Sequence, residues 1–194
     1  MIVDDPPTSD PCRHLYFRFA EAAWEREEYY ALRREIFCEE QGVFEGADRD
    51  EHDADALPIV AVRNCMGVAD EVVGVVRIDE RAPGVWWGSR LGVAEPYRSL
   101  TDFTTHGVFD GAPPPRFSSV GASLIYTAVS TAHAFGARRF YAHVQRQNVP
   151  FFRRLHWSSI EEVTLHDRRH HKMEADLSRY PASVHAHERA LRPA

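Results

Sequence analysis

Six side chains are placed by their sequence context as candidates to take a proton from an amine or a water molecule. They are Glu39 and Glu40 in FCEEQG, Glu51, His52 and Asp53 in DEHD, and His143 in YAHVQ. A carboxylate or imidazole within hydrogen-bonding reach of a nucleophile acts as a general base, directly or through water. Each has a plain alternative: Glu39 and Glu40 suit a solvated helix end, and a lone histidine on a strand suits a structural hydrogen bond. A second chemistry is anion binding. The run Ser119-Val120-Gly121-Ala122-Ser123-Leu124 reads as a helix start, whose backbone N–H groups and dipole attract phosphate. Gly121 permits close approach to the backbone. The plain alternative there is an ordinary helix start capped by Ser118 or Ser119. His156, His166, His170 and His171 are near one another in sequence, but no cysteine or HExxH frame accompanies them, so no metal is expected. Walker, GxGxxG and Gly-x-Ser-x-Gly signatures are absent.

These residues need elements to hold them. His14–Ala20 alternates and is aromatic, which predicts a strand. Trp24, Tyr29, Leu32, Ile36 and Phe37 fall at helical spacing, predicting a helix from Trp24 to Gln41 that Gly42 ends. The acidic stretch Glu45–Asp55 predicts a loop or short helix. Pro58–Arg63, Glu71–Asp79 and Val85–Ala94 read as strands. Leu124, Ile125, Ala128, Val129 and Ala132 form one stripe of a helix over Val120–Phe135. Arg139–Val144 reads as a strand, Val149–Leu155 as a helix, and Ser159–His166 with His171–Leu177 as a terminal strand pair. Ser99–Ser119, with its Pro113-Pro114-Pro115 run, lacks periodicity and reads as an inserted loop.

The 194 residues suit one domain, and a hydrophobic share of 44% is enough for a full core. The expected divisions are a loose tail over residues 1–12, a domain over residues 13–178 carrying the 99–119 insertion, and a C-terminal tail over residues 179–194. A formal charge of −6 without a basic run argues against a nucleic-acid partner. No apolar run reaches a membrane-spanning length and the N-terminus is acidic and proline-rich, so neither a membrane span nor a secretory signal is expected. Cys12, Cys38 and Cys65 are widely spaced and odd in number, which predicts no disulfide framework and a reducing cytoplasm. The basic residues are arginines apart from Lys172, a bias that fits a GC-rich bacterial genome.

Three segments together resemble the GCN5-related N-acetyltransferases. They are YALRREIFCEEQGVF (Tyr30–Phe44), RLGVAEPYR (Arg90–Arg98) and QNVPFFRRLHW (Gln147–Trp157), and the resemblance covers about residues 14–178. The EEQG block is similar to ElaA-like acetyltransferases and, more loosely, to acyl-homoserine-lactone synthases; the three segments also resemble a bacterial nitrogen-starvation N-acetyltransferase subgroup. The resemblance implies an α/β (α+β) fold: a mixed, mostly antiparallel sheet of six to seven strands, splayed between strands 4 and 5, with helices on both faces. It implies an acyl-CoA co-substrate, most readily acetyl-CoA, and a small-molecule amine acceptor, and it leaves a homodimer open. Arg98 matches the start of the family's phosphate loop, and Val120, Gly121, Ala122 and Ser123 its end, with Ser119 in place of a glycine and the insertion between the halves. Leu91, Gly92 and Val93 match the strand edge that hydrogen-bonds pantetheine. Asn148 matches a cofactor-binding asparagine. Phe152 stands where many members carry a tyrosine that protonates the leaving thiolate, a proton that phenylalanine does not have. Glu40 and His143 are the implied catalytic groups. The alternatives are an acyl-homoserine-lactone-synthase-like transfer of a longer acyl group, and a non-catalytic acyl-CoA-binding module.

Overall fold

The computed structural model describes residues 13–107 and 119–182. The tail expected over residues 1–12 lies outside the described residues, as do residues 183–194 of the tail expected over 179–194. The alternating aromatic segment is strand β1 (His14–Phe19), which buries Leu15 and Phe17 on one face. Helix α1 (Ala23–Arg34) begins where Glu25 accepts hydrogen bonds from the backbone N–H groups of Glu21 and Ala22, at 3.0 and 3.1 Å. The helix expected to reach Gln41 changes pitch after Arg34. Glu35–Glu40 is π-helical, and the Gln41 N–H donates to the Ile36 carbonyl five residues back. Such a wide turn is uncommon and recurs at functional sites.

Strands β2 (Leu57–Cys65), β3 (Val68–Ala82) and β4 (Val85–Val93) form an antiparallel meander. A short strand, β5 (Thr104–Gly107), precedes helix α2 (Val120–Ala134). Strand β6 (Arg139–Gln145), helix α3 (Val149–Arg154) and the hairpin β7 (Trp157–Leu165) and β8 (Arg168–Ala175) complete the chain. The eight strands lie in the order β5-β1-β2-β3-β4-β6-β8-β7. The pairing is antiparallel except for β1–β5 and β4–β6. This is the mixed, mostly antiparallel sheet expected, with one strand more than six to seven.

The added strand corrects the reading of 99–119 as one structureless loop. Residues 104–107 pair with β1, and Phe103 lies 6.5 Å from Phe17 and packs on the core. Residues 108–118 are outside the described part. The terminal hairpin also differs. His166 and Asp167 take positive φ in a two-residue turn, so Arg168–His170, expected before the strand, belong to β8. The core runs past residue 178: Tyr180 is buried, accepts a hydrogen bond from Trp157 Nε1 at 3.1 Å and donates to the Leu155 carbonyl. Cys38 is free but Cys65 is disulfide-bonded, which corrects the expectation of no disulfide. None of the described helices is long and apolar enough to cross a membrane.

Two apolar layers cover the sheet. One joins α2 and α3 to Leu15, Phe17, Val73, Val76, Phe140 and Val144. The other joins α1 and the π-helical turn to Val60, Val62, Val72 and Val75. Gly92 lets the π-helical turn settle on β4, since a Cβ there would lie 2.7 Å from Ile36 Cδ1. That close approach brings Glu40 and Gln41 to the cleft described next.

Candidate active site

Strands β4 and β6 pair only from Val85 with Arg139 to Gly88 with Ala142. Beyond that point Ser89–Val93 and His143–Gln145 diverge, and β6 pairs on its other side with β8. The cause is visible in β4. Between the pairs Val75–Gly92 and Arg77–Ser89, β3 advances two residues while β4 advances three. The extra residue is a bulge, which bends and twists a strand locally. Arg90 sits in it with φ of 53°, in the left-handed region that costs an L-residue free energy.

A buried ionic lattice holds this bulge. Arg90 donates from Nε to Asp48 Oδ2 at 3.0 Å and from Nη2 to the Asp48 carbonyl at 2.8 Å and Asp50 Oδ2 at 3.0 Å. Its guanidinium also lies 4.4 Å from the Phe44 ring centroid. Arg77 Nη1 reaches Asp50 Oδ1 at 2.5 Å and Asp53 at 2.9 Å, while its Nε donates to Ser89 Oγ at 2.9 Å. Arg33 binds Asp48 at 2.7 Å and Asp53 at 2.5 Å. Arg33, Arg77 and Asp48 are almost fully buried. Three cations thus face three carboxylates, the arrangement buried charges require. The guanidiniums hold the carboxyls of Asp50 and Asp53 below the usual range, against burial, which pushes them up. Burial and the neighbouring Arg77 together pull Arg90 below its ordinary value, so its partners do not fully offset its lost hydration.

Two cavities meet at the splay, sharing Gln41, Leu91, Gln145, Asn148 and Phe152. The outer one, about 700 Å³, is lined by Glu40, Leu91, Gly92, Val93, Arg98, Ser119, Gly121, Asn148, Phe152 and Arg168. It therefore brings together most of the residues implied for the cofactor. Of Val120–Ser123, Gly121 alone faces it. Val120, Ala122 and Ser123 are buried, Ser119 Oγ accepts from the Ala122 N–H at 3.2 Å, and the Ser123 N–H donates to the Ser119 carbonyl. The N–H groups of Ala122 and Ser123 are thus engaged in the first turn of α2, and the Val120 side chain packs in the core. Arg98 donates to the Val93 carbonyl at 2.8 Å and to Glu40 Oε2 at 2.6 Å. This pairing holds Glu40 beside Arg98 on the wall of the outer cavity. Tyr97, beside it, turns away to Arg63 and Glu71, each at 2.8 Å.

The inner cavity, about 360 Å³, passes through the sheet. On the α1 face it is lined by Phe44, Asp50, His52, Arg77, Trp87, Ser89, Arg90 and His143. His143 is exposed into it, 4.9 Å from the Trp87 ring. Partial burial, then the positive charges of Arg81, His170 and Lys172, lower its pKa below the ordinary histidine value, which favours the neutral ring at neutral pH. A strap crosses between the cavities. Gln145 Nε2 donates to Gln41 Oε1 at 3.0 Å, Arg168 donates to the Gln41 carbonyl, and Phe44 meets His166 edge-on. Among the other base candidates, Asp53 is tied to Arg33 and Arg77, and His52 lies 4.0 Å from the buried Asp79. Among the described residues no cluster of three His, Cys, Asp or Glu is arranged to hold a metal. Sequence reasoning passed over Arg77, Ser89, Arg90 and Asp48. One signal was present: Arg77 interrupts the apolar strand EVVGVVRID, and the acidic stretch Asp48–Asp53 offers carboxylates to pair with it.

No family profile matches the sequence, and no curated protein does. Solved structures match its fold. A Lactobacillus plantarum protein assigned as an N-acetyltransferase superposes with a TM-score of 0.67 at 17% identity, over 84% of this chain and 99% of that one. Escherichia coli ElaA gives 0.63 at 19% identity, over 84% and 99%. The CoA-dependent acyl-homoserine lactone synthase BjaI, solved with SAM and isopentyl-CoA, gives 0.58 at 14% identity, over 93% and 90%. The fold is that of the GCN5-related N-acetyltransferases.

Proposed function

We propose that this chain is an acyl-CoA-dependent N-acyltransferase, passing the acyl group directly from the thioester to the amine of a small molecule. The observation that carries the proposal is the splay of β4 from β6, with one cavity opening from each side onto it. Backbone groups of Leu91–Val93 on the edge facing β6 suit the peptide-like pantetheine. The first-turn N–H groups of a helix have no carbonyl four residues back, and Gly121 together with Arg98 and Arg168 suits the pyrophosphate. Asn148 stands at the junction. The acceptor enters on the side of Trp87 and His143.

In this reading neutral His143 takes a proton as the amine lone pair attacks the carbonyl carbon. The C–N bond forms, the C–S bond breaks, and its electron pair leaves on sulfur, which is protonated from solvent because Phe152 has no proton to give. A carbonyl held in the splay is polarised by fixed backbone N–H groups, which act most strongly where water is excluded. Acetyl-CoA is the donor that the sequence resemblance implies. The test is thermal shift with CoA, dephospho-CoA and ATP, because a ligand that binds the folded state raises the melting temperature. Release of free CoA with a panel of amines then distinguishes transfer from mere binding. A melting temperature unmoved by millimolar CoA refutes the reading. A shift without CoA release from any amine favours a binding module.

A further inference from the structure

The strap between the two cavities is built from side-chain amides. Gln147 Nε2 donates to Gln145 Oε1 at 2.5 Å, and Gln145 Nε2 donates to Gln41 Oε1 at 3.0 Å. The relay runs one way and ends at Gln41 Nε2, whose N–H groups have no partner among the described residues. That nitrogen is not sealed inside the protein. The fully buried polar side-chain atoms without a partner belong to Arg18, Asp79, Trp86 and Ser130. Gln41 lines both cavities, so its free N–H groups open onto them. Its backbone is held at both ends: the N–H donates to the Ile36 carbonyl at 3.0 Å, and the carbonyl accepts from Arg168.

On the reading that the chain transfers acyl groups from CoA, we infer that the Gln41 side-chain amide is a catalytic donor: its Nε2–H bonds the thioester carbonyl oxygen and stabilises the negative charge that oxygen gains during transfer. Three observations carry this. First, the place fits. In that reading the cofactor fills the outer cavity and the acceptor the inner one, so the carbonyl is the group that both must reach. It sits where the cavities meet, and the polar side chains there are Gln41, Gln145 and Asn148. Gln145 spends its amide on its two neighbours, and no hydrogen bond fixes the Asn148 side chain among the described residues. Gln41 alone of the three is both anchored and free to donate. Second, the donor is set before the reaction. A donor already in place costs no reorganisation as charge develops, and hydrogen bonds in a chain polarise one another, which strengthens the last N–H. Third, the inference gives the π-helical turn a purpose. Glu35–Glu40 settles on Gly92 of β4 and delivers Gln41, the residue that ends it, to the splay. As the amine attacks, the carbonyl π pair moves onto oxygen, where Gln41 holds it. The pair returns as the C–S bond breaks, and Gln41 neither gains nor loses a proton.

The experiment compares the full native chain with Gln41→Glu and Gln41→Met. The glutamate keeps an oxygen for Gln145 Nε2 and so keeps the strap, but it has no N–H to give; methionine removes both. Acetyl-CoA labelled with carbon-13 at the thioester carbonyl is bound to each, and isotope-edited infrared spectra read the carbonyl stretch. A hydrogen bond lowers that stretch, so the native complex should absorb at lower wavenumber than either variant. This readout needs no acceptor. With an amine that is turned over, kcat should fall by about 10²–10³-fold in both variants, while the KM for acetyl-CoA and the urea midpoint of Gln41→Glu stay near native. If acetyl-CoA binds but its carbonyl band is the same in all three, Gln41 does not touch the carbonyl, and the acyltransferase reading stands without it. If the variants raise KM and leave kcat native, Gln41 holds pantetheine instead and the inference is overturned. If acetyl-CoA does not bind even the native chain, both fall. Should Gln41→Met fail to fold, Gln41→Glu decides alone.

Discussion

Arg90 occupies a left-handed backbone position in the middle of a strand and is held there by its side chain. Replacing it with alanine and with glycine separates the two effects. In an ordinary strand glycine is less stable than alanine by about 0.5–1 kcal/mol, through backbone entropy. At φ of 53° the order should invert, because the left-handed conformation costs an L-residue about 1–2 kcal/mol and glycine almost nothing. Both variants remove the guanidinium from Asp48 and Asp50. Asp48 keeps Arg33 and Asp50 keeps Arg77, so neither carboxylate is stranded. Hydrogen bonds to charged groups contribute about 1.5–3 kcal/mol each, but burial already pulls Arg90 below its ordinary pKa and consumes part of that gain. A net loss of about 1–3 kcal/mol is expected for Arg90→Ala, with Arg90→Gly about 1 kcal/mol more stable than Arg90→Ala. Urea denaturation reads this as shifted midpoints at constant slope. Turnover should fall about a hundredfold in both, since a backbone misplaced by about 1 Å at the reacting carbonyl has that effect. If the alanine variant is as stable as the glycine variant, the backbone strain is not real. If both keep native turnover, the ionic lattice does not position the bulge.

Two further outcomes follow from the site's electrostatics. His143 has a folded pKa below its ordinary value of about 6.5, and the proposed reaction uses it in its neutral form. Turnover should therefore be constant through neutral pH and drop only as pH falls through a pKa below that value. His143→Gln should remove this acid limb and slow the reaction by about 10²–10⁴-fold, whereas a limb above pH 6.5 or an unaffected variant would rule the base assignment out. Glu40→Gln releases Arg98 from its partner at 2.6 Å. Steady-state kinetics should show a KM for acyl-CoA raised several-fold, with kcat and the urea midpoint unmoved, because a pair this exposed adds little stability. A large fall in kcat at constant KM would return the base role to Glu40.

Much of the fold was readable because it is written in local pattern. The apolar stripe of Leu124, Ile125, Ala128 and Val129 marks α2, and the alternation of His14–Phe19 marks β1. The periods of 3.6 and 2 are properties of neighbouring residues. The four-residue strand β5 has no such pattern. It exists because residues 104–107 meet β1 about 90 positions earlier in the chain. The π-helical turn was equally hidden, since a single wide turn leaves the apolar spacing of Ile36 and Phe37 intact.

For the site, sequence alone determined the chemistry on offer. It supplied a helix start at Gly121, a cation at Arg98, an imidazole at His143 and a missing hydroxyl at Phe152. Tertiary structure decided which of these act together. Glu40 met Arg98, 58 residues away, on the wall of the outer cavity, while Ser119 claimed the N–H of Ala122. Arg33, Arg77 and Arg90 found Asp48, Asp50 and Asp53 across separate elements, and that lattice fixes the bulge that opens the sheet. Local pattern carries burial and periodicity, but charge pairing depends on distances between residues far apart in sequence. The order of strands in the sheet sets those distances, so the bulge at Arg90 and the lattice that holds it become visible in three dimensions alone.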